Sequence, residues 1–448
     1  SPMVDFILAI KKALWAGPLL LLFASTGIML SWRLRLISVR KFGAAMKLLL
    51  AASAESRGQA QPARGELSRV EALMTGLAGA VGTGNIAGIA LAISVGGAGS
   101  LFWMWVVAFL GMATAYAEAS LGLCYRRVDA RGASLGGPMV TLADGLGWQK
   151  MATVFALLAV IASFGIGSTI QANSVASGIF QAYGLAEMQV GVVMAVLAGL
   201  VILGGVQSIG RTASFLVPLM SLIYVGAGLV ILATHVTELP LALWTILQSA
   251  FSWQAAVGGG VGFLVTLENG VANGIFANEA GMGSLSIAAA SSTTPRPSEQ
   301  GLLAMAGVFL ATMVICTITG LVILVTGADQ WFAQGGRALS GSALTMDAFG
   351  SFHPALSHVV VFGLVCFAFT TTIAWAHYGE RCLTFMFGQT SVRISNAYYV
   401  IYILSIMLGA VMEVEVVWAL ANLANGLMAI PNLLSLWALR GEVETMKG

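Results

Sequence analysis

Eleven apolar blocks, each long enough to cross a lipid bilayer, follow one another along this chain and leave little sequence between them. They run over 14–32, 70–95, 100–124, 150–182, 187–206, 213–234, 255–291, 300–327, 356–387, 395–412 and 414–437. Crossing ~30 Å of hydrocarbon takes ~20 helical residues, so the longest blocks must be tilted, overhanging or interrupted. Hydrocarbon offers backbone N–H and C=O groups no water, which restricts such segments to helices that satisfy their own hydrogen bonds. The composition agrees: 58% hydrophobic and 9% charged residues, with a mean hydropathy of +0.90, are too few charges to cover a soluble globule. The expected fold is therefore an all-α integral membrane domain over 1–448. Block 14–32 reads as a true span, because no small-residue cleavage site is followed by a soluble domain. Polar stretches such as "AESRGQAQPARGE" read as connectors.

The few charges still carry information. A net charge of +2 and no basic run interleaved with aromatics argue against a nucleic-acid partner. Cys124, Cys316, Cys366 and Cys382 show no C-x-x-C spacing, so they read as small packing residues and not as a disulfide or metal framework. Basic residues near span ends stay on the cytoplasmic side. With the C-terminus inside, the loops 33–69 and 126–150 together with Arg211, Arg296, Arg381, Arg393, Arg440 and Lys447 place 18 of the 21 basic residues in the cytoplasm, leaving Lys11, Lys12 and Arg337 outside. The expectation is an N-terminus outside and a C-terminus in the cytoplasm.

Two blocks contain residues that weaken a helix. In "AVGTGNIAG" (80–88), Gly82 and Gly84 flank Thr83, and Asn85 follows. Glycine in a membrane helix commonly serves close packing, which suffices for Gly76, Gly88 or Gly96. A cluster of glycines with a hydroxyl and an amide instead costs helix stability and supplies no apolar knob. If the helix unwinds there, its freed carbonyls and N–H groups need partners. A cation satisfies the former, and a carboxylate satisfies the latter at the start of the next half-helix. Block 255–291 carries a second cluster, "GVANGIFANEAGMGS". Setting 14–32 aside as an extra first helix, the two clusters open a first repeat (70–234) and a second (255–437), discontinuous at helices 2 and 7. That is what a five-plus-five inverted repeat asks.

"AVGTGNIAG", "GGAGSLFWMWVVAFLGMATAYAE", "GIGSTIQANS", "NEAGMGS" and "AWAHYGERC" resemble the signature stretches of the alanine/glycine:cation symporter family, over about residues 65 to 435. "AVGTGN" is also similar to "AVGLGN" at the first break of the bacterial leucine transporter, whose fold the resemblance implies. It further implies sodium-coupled symport of a small neutral amino acid across the plasma or inner membrane by alternating access, with no cofactor beyond the coupling ion. The backbone of Gly82, Thr83 and Gly84 would receive the substrate carboxylate, with Asn85 beside it. Gln171, Phe276, Asn278, Thr371 and Trp375 would complete the substrate site, Trp375 closing over the side chain. Sodium would take the carbonyls of Ala78, Val81 and Phe367 and the hydroxyls of Thr370 and Thr371, the oxygen-rich shell a hard cation requires. On its residues alone, a Thr run in a membrane helix more often bonds back to its own carbonyls.

Glu118, Glu279, Glu380 and Arg381 are charges in or near the membrane and thus candidates for function. Glu279 also suits a loop-tying role, and Glu380–Arg381 a gate or structural ion pair. Family members often carry Arg, Lys and Asp where this chain has Asn273, Ala115 and Ala311. Those changes remove charge, through loss of one network or a change of substrate or ion. Rival readings are a proton-coupled carrier of the same fold and an ion channel, though no repeated filter or ring of charge is present. No catalytic motif points to an enzyme.

Overall fold

The structure is a computed structural model that describes residues 2–55, 66–252, 262–330, 341–388 and 391–446. Arg337, Lys447 and the start of block 255–291 lie outside these residues. Eight helices among the described residues are long and apolar enough to cross a membrane: Asp5–Arg33, Ser100–Cys124, Gln149–Tyr183, Gly205–Thr234, Pro297–Val325, Pro354–Phe387, Val392–Val411 and Val416–Ala438. Each coincides with one of the apolar blocks. Block 187–206 is the 17-residue helix Glu187–Leu203, whose Val193, Val196, Leu200 and Leu203 face outward. Exposed aliphatic side chains on such a helix are what a lipid solvent calls for.

The two remaining blocks are the two with glycine clusters, and both are broken. The first divides into Arg69–Ala80 and Ala87–Gly96, joined by a short 3-10 turn at Thr83–Asn85. Its start is fixed by a capping box in which Ser68 Oγ accepts from Glu71 N and Glu71 Oε2 accepts from Ser68 N. The second divides into Gly262–Asn278 and Ser284–Ala290. Helix Pro354–Phe387 lies against both breaks, with nearly all of its residues from Val360 to Thr384 buried.

Several elements differ from the expectation. The 33–69 segment is not a plain connector, since Ile37–Arg40 and Phe42–Glu55 are helical. Helices also occupy Leu239–Phe251 and Ser342–Phe352, between blocks. The fold is not purely α-helical: Arg127–Val128 and Ser134–Leu135 pair as an antiparallel hairpin, with Arg127 opposite Leu135. Its turn is built by Asp129, whose Oδ1 accepts from Arg131 N and Ala133 N, with Gly132 at φ +78°. Ser163–Thr169 and Phe309–Cys316 are wide π-type turns inside long helices. Such turns release carbonyls from the i→i−4 ladder; one reaches the first break through Ala311 O and Asn85, the other through Ile166 O and Gln171.

Candidate functional site

At the first break the helix Arg69–Ala80 stops because Val81 and Gly82 take extended backbone, with φ/ψ of −85°/90° and −131°/−150°. The carbonyls of its last turn lose their partners in the chain and find them on helix Pro354–Phe387. Thr371 Oγ1 donates to Ala78 O at 2.7 Å and lies 3.3 Å from Val81 O; about one turn earlier, the Tyr378 hydroxyl adds a bond to Thr75 O at 3.0 Å. Beyond the turn, Asn85 O accepts from Thr319 Oγ1 and Ile86 O from Thr345 Oγ1, each at 2.9 Å. The N–H groups meet amide oxygens. Gly82 N donates to Asn85 Oδ1 at 3.0 Å and Thr83 N to Gln171 Oε1 at 3.1 Å. Gln171 is aimed by its own Nε2, which donates to Ile166 O, a carbonyl of the wide turn Ser163–Thr169.

Close approach explains the glycines. A Cβ on Gly82 would stand 2.5 Å from Thr371 Oγ1, and one on Gly84 would overlap the Phe276 ring. Phe276 is backed by Trp418 with ring centroids 5.2 Å apart. Within this junction Thr83 Oγ1 is buried without a hydrogen-bond partner among the described residues, which is uncommon enough for a buried hydroxyl to mark the place.

The second break is held by carboxylates. Glu279 adopts φ +57°, followed by Gly281 at +91° and Gly283 at +99°. A side chain in the left-handed region costs energy, and surrounding bonds must fix it there. Glu279 N donates to Ile275 O, and its carboxylate accepts from Ser284 Oγ at 2.6 Å and from Trp375 Nε1 at 3.0 Å. Glu118 accepts from Gly281 N at 3.1 Å and from Asn432 Nδ2 at 2.8 Å, and the same amide reaches Gly281 O. Asn278 accepts from Ala280 N and donates to Thr312 Oγ1. The two breaks are joined directly: Asn85 Nδ2 donates to Ala277 O at 3.2 Å and to Ala311 O at 3.0 Å. Position 311 thus contributes its carbonyl, a role an alanine fills.

Of the residues expected around a cation, Ala78, Val81 and Thr371 converge, and Thr370 donates to Phe367 O at 3.1 Å along its own helix. Of those expected around the amino acid, Gly82, Thr83, Gly84, Gln171 and Phe276 adjoin the first break. Asn85, Asn278 and Trp375 are hydrogen-bonded across the breaks. Thr371 and Trp375 are four residues apart, about one 5.4 Å turn, so one helix face reaches the first break with the hydroxyl and the second with the indole. Asn432 is a residue the sequence did not single out; its signal was an amide after Pro431 inside a membrane helix.

Glu380 and Arg381 form a network near one end of the same helix. Arg381 donates to Glu380 at 2.7 Å and to Asp129 at 3.0 Å, and Arg131 donates to Glu380 at 2.9 Å. The Thr384 and Ser395 hydroxyls also donate to Glu380. The hairpin turn is thereby bound to the helix. His377 contacts Ser291 Oγ at 3.3 Å, and no group of His, Cys, Asp and Glu suited to a metal occurs among the described residues.

The model of the sodium:alanine symporter family matches residues 2–447. The chain belongs to this family. The sodium/alanine symporter AgcS of Methanococcus maripaludis is 41% identical over 98% of this chain and 95% of its own length. The probable sodium/glutamine symporter GlnT of Bacillus subtilis is 35% identical over 96% of this chain and 87% of its own. The putative sodium/proton-dependent alanine carrier protein YrbD of the same organism is 32% identical over 97% and 90%. Among solved structures, MhsT in complex with L-phenylalanine superposes with a TM-score of 0.58 over 86% of this chain and 90% of that one, at 16% identity. The manganese transporter of Eremococcus coleocola gives 0.51 over 82% of this chain and 77% of that one, and 0.52 over 85% and 80% in a second variant's structure, each at 14% identity. This sodium:alanine symporter family member therefore has the fold of secondary transporters and is a multi-pass membrane protein. Its activity is secondary amino-acid transport, not enzyme catalysis.

Proposed function

We propose that the protein is a sodium-coupled symporter of a small neutral amino acid of the alanine or glycine class, working by alternating access. The observation that carries this reading is the meeting of Ala78 O, Val81 O and Thr371 Oγ1, oxygens from two segments some 290 residues apart in sequence. Two carbonyls released by a helix break and one rotatable hydroxyl form the oxygen donor set a hard cation takes. Phe367 O, one turn back on the same helix, and Thr370 Oγ1, on the adjacent residue, are proposed to complete it. The names of the sodium/alanine and sodium/glutamine relatives support sodium as the ion.

The amino acid would lie between the breaks. Its carboxylate would take the place of the Gln171 and Asn85 amide oxygens on the N–H groups of Thr83 and Gly82, with Gly84 N and the Thr83 hydroxyl as further donors. Asn278 would add a polar contact. Phe276, pressed on Gly84, and Trp375 would limit side-chain size. The arrangement of the two breaks supports one membrane domain over 1–448, an extra helix 14–32 and inverted repeats 70–234 and 255–437, eleven spans in all; the distribution of basic residues supports an N-terminus outside. A ligand shifts the inward–outward equilibrium only through differential affinity for the two states. Sodium and substrate would therefore each bind best with the breaks closed on helix Pro354–Phe387.

Uptake of labelled alanine and glycine into proteoliposomes, with and without an inward sodium gradient, tests this. The reading requires accumulation driven by the gradient; equal uptake in both conditions removes it. A proton-coupled variant of the same cycle is favoured by one observation. Glu118 and Glu279 are buried, and the donors that reach them are the neutral groups Gly281 N, Asn432 Nδ2, Ser284 Oγ and Trp375 Nε1. A pH gradient imposed without sodium separates the two.

A further inference from the structure

The end of the first span carries a feature that neither break uses. Five basic residues, Arg33, Arg35, Arg40, Lys41 and Lys47, fall within fifteen positions, and no Asp or Glu occurs from Leu34 to Ala54. Arg33 is paired with Glu444 at 3.0 Å. Among the described residues no carboxylate pairs with Arg35, Arg40, Lys41 or Lys47. Arg35, Arg40 and Lys47 are exposed.

Large apolar side chains stand among these charges. Trp32 is 81% exposed, Leu36 53% and Val39 63%. The chain reaches this arrangement through a costly turn, with Arg35 and Leu36 both in the left-handed region at φ 51° and 52°. Each such residue is disfavoured by roughly 1–2 kcal/mol. The turn is closed by Leu36 N donating to Ser31 O and Arg35 N to Trp32 O. It directs the chain from the span Asp5–Arg33 into the helices Ile37–Arg40 and Phe42–Glu55.

We propose that this elbow is a binding site for the headgroup of an anionic phospholipid. Trp32 ends a membrane span, the level at which indoles sit in the interface. Leu36 and Val39 lie in the elbow that follows it and present apolar area to acyl chains, while Arg35, Arg40 and Lys47 present uncompensated positive charge to a phosphodiester. Arg40 also donates to Leu34 O at 3.2 Å, which holds its guanidinium over the turn. Exposed apolar and basic side chains interspersed along residues 32–47 suit a lipid, which has both chemistries. A free phosphate would match the basic groups alone.

Native mass spectrometry of the detergent-purified full chain tests the site, with dioleoylphosphatidylglycerol or dioleoylphosphatidylcholine titrated at equal concentrations. The protein is expected to hold the first phosphatidylglycerol about ten-fold more tightly than phosphatidylcholine, with the preference falling as salt is raised. R35Q/R40Q/K47Q is expected to reduce the preference to about two-fold or less, whereas R35K/R40K and the distant control K150Q/R393Q keep it. Thermal melting of each variant verifies that it is folded. The proposal is overturned if the triple Gln variant keeps the preference, if the distant control loses it equally, or if inorganic phosphate displaces the lipid at matched concentration. None of these results depends on transport, so they separate from the symport reading.

Discussion

Gly82→Ala replaces one Cα hydrogen with a methyl group, and its consequence follows from two distances. The new Cβ would stand 2.5 Å from Thr371 Oγ1, where ordinary contact begins at 3.4 Å, so the hydroxyl must retreat by roughly 0.9 Å. Thr371 Oγ1 donates to Ala78 O at 2.7 Å. A retreat of that size along the bond takes it to about 3.6 Å, at which no hydrogen bond remains. Ala78 O would be left buried at the end of a half-helix, a loss of ~1–3 kcal/mol. The same methyl would stand 3.0 Å from Gln171 Oε1, the acceptor of Thr83 N. The backbone itself is not strained, because φ at Gly82 is −131°. Taking ~2 kcal/mol, the variant should lose about thirty-fold in substrate-dependent transport at fixed sodium. Gly226→Ala, where nothing lies within 4 Å of the added carbon, should leave transport unchanged. Uptake by proteoliposomes of matched protein content measures both, with circular dichroism to verify helicity. Wild-type uptake and sodium dependence in Gly82→Ala would refute the claim that Gly82 is present for close approach to Thr371.

Two further outcomes follow from the same structure. Trp375→Phe and Glu279→Leu remove the two sides of one 3.0 Å bond, so a double-mutant cycle on melting temperature should show a coupling of about 1 kcal/mol or more, and additive effects would mean the second break is not tied to helix Pro354–Phe387 there. Lys12→Cys should react with a membrane-impermeant maleimide on intact cells and Gly441→Cys only after permeabilisation; the reverse pattern would invert the orientation inferred from the basic residues.

The breaks were legible in the sequence because their chemistry conflicts with their surroundings. Gly82, Gly84 and Asn85, or Asn278, Glu279 and Gly281, sit badly in an unbroken apolar helix, and the structure unwinds at both. Thr371 was legible only with the family resemblance, since Thr370, its neighbour, does bond back along its own helix. The short helices Phe42–Glu55, Leu239–Phe251 and Ser342–Phe352 were missed because they are too brief to register as spans, and long blocks dominated the reading. The hairpin at Arg127–Leu135 depends on an Asp129 turn only a few residues long. Asn432 escaped notice because its amide does not stand out beside those of Asn422 and Asn425 in the same helix; its meaning lies in Glu118, more than 300 positions away. The wide turns that free Ile166 O and Ala311 O have no residue signature, because tertiary partners select that geometry.

The central claim is that the carbonyls freed at the first break and the hydroxyl of Thr371 make one cation site. Sodium titration of substrate binding by Thr371→Val, beside Thr371→Ser, tests it most directly, because Val keeps the shape and removes only the oxygen. The account predicts that Val raises the half-saturating sodium concentration by about ten-fold or more, while Ser stays within about two-fold of the parent. An unchanged sodium requirement in a folded Thr371→Val protein would contradict it.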